Sequence, residues 1–132
     1  MAIQYSAAVN NAKLDTIETT TGASAKLRIY SGAAPANCAA AATGTLLVDI
    51  ALPVDWMNAA ATNSKTKLGT WSAAAVAAGT AGYFRITEST GATAHIQGTA
   101  GATATDMILD NTNIAAAQVV TVNTFTINGA NG

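Results

Sequence analysis

The chain is predicted to be mainly β: a single-domain antiparallel β-sandwich or jelly-roll-like barrel with one N-terminal helix. Three observations predict it. From residue 26 onward apolar side chains recur with period two, Gly, Asn and Ser punctuate these runs at short intervals, and 20 threonines supply much of the uncharged polar surface. At 132 residues the whole chain, 1–132, falls in the usual size range of one domain.

The helix is expected over residues 6–20. Ser6 is a suitable N-cap, the interior is rich in Ala and Asn, and Gly22 follows as a stop. Tyr5, Val9, Ala12 and Ile17 fall on one loose apolar face, with Leu14 off it. One side of the helix is therefore expected on the sheet and another toward a partner, or the helix simply caps one end of the sandwich.

A half-buried strand follows, with Leu27 and Ile29 alternating against Lys26, Arg28 and Tyr30. Residues 31–44, with Gly32, Pro35 and several alanines, read as a surface loop. Residues 45–52 form the next strand: Leu46, Val48, Ile50 and Leu52 share a face opposite Asp49, and Pro53 ends the run by removing a ladder donor.

A further strand is expected over 67–72 with Trp71 inside it. Residues 73–79, alanine-rich but short and closed by glycine, read as a loop or single turn. The strongest hairpin signal places Phe84 and Ile86 on one strand, Ser89-Thr90-Gly91 in the turn, and Ala94 and Ile96 on the return. Parity puts His95 on the face of Arg85. Residues 106–110 make another strand, with Met107 and Leu109 on one side. In the last strand, 118–127, Val120 and Val122 differ in parity from Phe125 and Ile127, which predicts a bulge near Asn123-Thr124. Six or seven strands result, with no internal repeat.

Composition bounds what such a domain can do. Half the residues are hydrophobic, but 32 are alanine, leaving 34 larger apolar side chains. Alanine contributes little buried area, so the core is thin and association with other chains is expected. Only 10% of residues are charged, and a surface poor in charge suits subunit packing. Lys13, Lys26, Arg28, Lys65, Lys67 and Arg85 are scattered, which gives no basic stripe for nucleic acid. No run approaches the ~20 apolar residues of a membrane span, and the first residues carry neither a basic n-region nor an apolar h-region. A chain made in the cytoplasm is expected. The tail Asn128-Gly129-Ala130-Asn131-Gly132 is expected to dock on a neighbouring surface, because ends fray unless tied down.

The residues that carry chemistry do not assemble into a recognisable motif. His95 is the sole histidine and lacks a nucleophile elbow. Cys38, in Pro35-Ala36-Asn37-Cys38-Ala39, has no neighbouring cation to activate it. Asp106 and Asp110 would stand about 13 Å apart along a strand, too far for a glycosidase pair, and with Asn111 they lack the spacing of a calcium loop. The glycines of Gly79-Thr80-Ala81-Gly82 and Gly98-Thr99-Ala100-Gly101 precede neither a helix nor Lys-Ser/Thr, so they read as turns. No enzyme, cofactor or metal is expected. Trp56, Trp71 and Tyr83 are either the largest packing units or an aromatic platform for a sugar, a carbohydrate-binding module.

Three segments, Leu27-Arg28-Ile29-Tyr30-Ser31-Gly32-Ala33-Ala34-Pro35, Leu47-Val48-Asp49-Ile50-Ala51-Leu52-Pro53 and Gly79-Thr80-Ala81-Gly82-Tyr83-Phe84-Arg85-Ile86, resemble a family of small phage and prophage proteins. The likeness extends to Ala12-Lys13-Leu14-Asp15-Thr16-Ile17-Glu18. The alanine runs at 39–42 and 73–78 depart from it. Members are mostly uncharacterised or structural virion proteins, similar to capsid decoration (cement) proteins. The resemblance implies a virion location on the capsid exterior, the major capsid protein as partner, and self-association as dimer or trimer. A tail, adaptor or tail-tip component is the alternative setting. The interaction candidates are Tyr5, Val9, Trp56, Trp71 and Tyr83.

Overall fold

The computed structural model describes residues 3–129, and the expected docking of residues 130–132 lies outside them. The chain is mainly β with one helix, as predicted. Among the described residues are α1 (Ala7–Thr21) and nine strands: β1 (Lys26–Ser31), β2 (Leu46–Ala51), β3 (Ser64–Thr66), β4 (Ser72–Ala74), β5 (Gly79–Thr87), β6 (Ala94–Gly101), β7 (Met107–Leu109), β8 (Asn113–Ile114) and β9 (Val119–Asn128). They form one curled sheet in the order β2-β1-β5-β6-β7-β9-β3, with β4 on β9 and β8 on β5. All pairs are antiparallel except β6 with β7. The curl brings the two ends of the sheet together: the Val76 N–H beyond β4 donates to the Leu47 carbonyl of β2 at 2.7 Å. No helix among the described residues is long and apolar enough to cross a membrane.

The helix begins where its cap requires. Ser6 Oγ accepts from the Val9 N–H, and the Gly22 N–H closes the last turn on the Glu18 carbonyl. Its buried residues, however, are Asn10, Leu14 and Thr21. Val9 and Ala12 face outward and Ile17 is half-buried. A helix with few large apolar residues leaves its inward face to whichever of them meets the sheet, and Leu14 is the one that does.

One core cluster fills the curl. Trp56, Trp71, Phe125 and Phe84 form a row of rings with successive centroids 6.1, 5.8 and 5.3 Å apart. Both indole N–H groups are satisfied, by the carbonyls of Gly22 and Leu68. The expected strand over 67–72 is interrupted, because Gly69 takes a left-handed φ of 78°. Trp71 therefore lies in the gap between β3 and β4, and part of the alanine run expected as a loop becomes β4.

Bulges adjust the other strands. A register shift opposite Ile29 and Tyr30 turns Leu47 inward beside Val48, so both are buried on β2. The predicted parity change in β9 is a register shift at Asn123, with Thr124 and Val122 facing successive residues of β7. A shift between β5 and β6 makes His95 the extra residue. It consequently lines the clefts beside Ile17 of α1 and is not on the side of Arg85.

β5 is buried on both faces. Residues 31–44 fold over its outer face, where the Tyr83 hydroxyl donates to the Thr43 carbonyl and the Arg85 guanidinium donates to the carbonyls of Asn37 and Ala40. Tyr30 stacks on Tyr83 at 5.0 Å beneath this flap. Gly82 makes the approach possible, since a Cβ there would collide with the backbone of Gly32. Gly82→Ala is expected to lower stability by about 2–3 kcal/mol in urea unfolding, in the range of other overpacked sites.

Candidate contact surface

Of the expected interaction residues, only Tyr5 and Val9 are at the surface; Trp56, Trp71 and Tyr83 are fully buried. The last three are the bulkiest side chains in a core short of large residues, and packing claims them. They present no ring face to a sugar.

The surface that sequence reading missed lies at the end of the fold where β4, β9 and the turn before β9 meet. Val76 and Val119 are exposed there, at 64% and 59%, with Ala74, Ala115, Ala116 and Ala117 exposed around them. The Ala75 N–H donates to the Gln118 carbonyl at 2.7 Å, and the Ala117 N–H to the Ala75 carbonyl at 2.9 Å. Gln118 Oε1 accepts from the Ala115 N–H, which fixes the turn from within. The tip is therefore tied by hydrogen bonds and apolar at its surface. It is also uncharged: neither 68–84 nor 111–132 contains a Lys, Arg, Asp or Glu. That double gap was a legible signal in the sequence.

Ala117 holds a left-handed φ of 68°, a conformation that costs a non-glycine residue roughly 1–2 kcal/mol. Ala117→Gly is expected to raise stability by about 0.5–1 kcal/mol in denaturant melts, the relief exceeding glycine's entropic cost.

Several charged and titratable groups are used elsewhere, in structural roles. Lys65, with a side chain 1% exposed, lies under α1 and contacts Asp15 at 2.7 Å and Glu18 at 3.2 Å. Burial opposes its positive charge, but the two carboxylates outweigh this and hold its pKa above the ordinary 10.5. The same ammonium, with the Ala60 N–H, holds Asp15 below the ordinary 3.8. Glu88 organises the β5–β6 turn, accepting from the Thr90 hydroxyl and from the N–H groups of Ala92 and Thr93. These bonds, the hydroxyl first, lower its pKa to about 2. Asp106 accepts from the Thr99 N–H and Asp110 from the Thr121 N–H. His95 stands 3.9 Å from Glu88, and Cys38 is half-buried in the flap. Among the described residues no three His, Cys, Asp or Glu side chains come together to hold a metal.

No family model matches the chain, and no curated protein or solved structure shows significant similarity to it.

Proposed function

We propose that the chain is a virion structural protein, and specifically a capsid decoration protein that bridges major capsid protein subunits on the outside of the shell. The observation that carries this reading is the hydrogen-bonded, uncharged tip formed by Val76, Val119 and the surrounding alanines. Preset apolar surface without charge is what a repeated subunit contact needs, since little is lost in ordering or desolvating it. The phage-like segments supply the setting. Each copy then needs only a modest interface, because lattice symmetry multiplies it. The copies also contact one another as a dimer or trimer.

Purified virions test the reading. The protein is expected at a copy number that scales with the capsid lattice, and Val76→Asp with Val119→Asp is expected to strip it from shells while leaving its melting curve unchanged. A copy number that follows the tail assigns it to a tail or adaptor component instead. Absence from particles refutes both settings.

A further inference from the structure

The register of β1 on β5 sets the chain's two arginines directly opposite each other, Arg28 against Arg85. The same row continues to Asp49 on β2 and to Gln97 on β6. Like charges facing each other across strands repel, and this row holds a single acid. Asp49 accepts from Arg28 Nε at 3.4 Å. Arg85 has no carboxylate partner among the described residues: its Nε–H donates to Gln97 Oε1 and its Nη2 to the carbonyls of Asn37 and Ala40.

Arg85 is nevertheless only 6% exposed. A guanidinium keeps its charge throughout the ordinary pH range, and a charge taken out of water is costly unless an opposite charge accompanies it. The neutral oxygens around Arg85 accept hydrogen bonds and supply no such charge. Its Nη1 has no acceptor among the described residues. Arg28 likewise engages Nε and Nη1, the latter on the Gly91 carbonyl at 3.1 Å, and leaves Nη2 without one.

Both side chains line one cavity of about 230 Å³ between the outer face of the sheet and residues 38–42 of the flap. No Asp or Glu lines it, and the flap, 31–44, contains no charged residue. Glu88, in the neighbouring turn, is engaged by Thr90, Ala92 and Thr93. Gly91 keeps the wall open, since a Cβ there would stand 2.5 Å from Arg28 Nη2. The volume is below the ~300–1,000 Å³ of pockets for drug-sized molecules. It does accommodate a small ion with a few waters, each water filling about 30 Å³ of liquid.

We propose that this cavity binds a small tetrahedral oxyanion of the phosphate class, held by the unused N–H groups of Arg28 and Arg85. Guanidinium donors match oxyanion geometry, and a tetrahedral ion offers oxygens to two side chains at once, where a carboxylate is matched by one. The bound charge offsets the repulsion between the paired arginines and ties the flap to the sheet. This site does not depend on the capsid setting proposed above.

Nuclear magnetic resonance of the purified chain tests it. Because Arg28 and Arg85 are the only arginines, isotope-labelled arginine gives Nε–H signals from this site alone. Potassium phosphate is titrated in at neutral pH, with ionic strength held constant by potassium chloride. Both signals are expected to move together and saturate with a Kd of about 1 mM or tighter. Acetate is expected to bind at least roughly tenfold more weakly, and Arg28→Lys, which keeps the charge and loses the fork, to weaken the phosphate response of Arg85 by a similar factor. No saturable shift in the parent, the same shift in chloride alone, acetate bound as tightly as phosphate, or a folded Arg28→Lys chain that binds like its parent overturns the proposal. The parent titrations need no variant, so they decide the matter even where the substitution unfolds the chain.

Discussion

Trp56→Ala is expected to destabilise the domain by roughly 3–5 kcal/mol, the range for removing a buried tryptophan. The ring is fully buried, lies next to Trp71 in the row of aromatic rings, and donates to the Gly22 carbonyl at the end of α1. Its loss leaves a large void in a core that has few side chains able to collapse into it, and an unsatisfied carbonyl beside that void. Total stabilities of small domains are about 5–15 kcal/mol, so the variant should unfold at much lower urea, and near its midpoint in water if the parent is at the low end. Trp56→Phe separates the two losses: the cavity shrinks, and the missing N–H is expected to cost about 1 kcal/mol by itself.

Lys65→Ala is the second large effect, expected at about 2–4 kcal/mol, below the loss typical of a fully enclosed pair because Asp15 is partly exposed. The substitution removes the stem from the interior, the bond to the Asn58 carbonyl, and the positive charge that keeps Asp15 and Glu18 compatible. The pH dependence follows from the two shifts. Asp15 titrates below 3.8 in the folded chain, so its contribution is complete above that value and is lost as pH falls through the lowered pKa. Lys65 titrates above 10.5, so its contribution is complete below that value and is lost as pH rises through the raised pKa. Parent protein should hold this increment between the two limits, whereas Lys65→Ala should show a smaller alkaline loss. Equal alkaline slopes in parent and variant would count against the role given to Lys65.

Much of the β architecture was legible because it depends on local alternation. Leu27 and Ile29, Phe84 and Ile86, and the parity change before Phe125 each place a side chain by its neighbours alone, whereas the bulge at His95 puts Ala94 and Ile96 on opposite faces. What escaped depends on contacts distant in sequence. Lys65 reads as a surface residue until Asp15 and Glu18, on α1, are brought over it. Tyr83 and Arg85 look half-exposed until residues 31–44 cover them. Alanine was the other obstacle: it marks neither state of a short segment, so it concealed strand β4, while the buried side of α1 escaped because two of its three buried residues, Asn10 and Thr21, are polar. The tip was hidden for a related reason, since exposed alanines draw attention only when the missing charges beside them are counted.

The uncharged tip also sets how an attachment made through it responds to its medium. Contacts between Val76, Val119 and apolar partner atoms contain no ion pairs for dissolved salt to screen. Excluded salts such as sulfate strengthen apolar burial. Subunits held there would stay bound through concentrated brine and detach instead in mild urea, which solvates apolar and peptide groups alike.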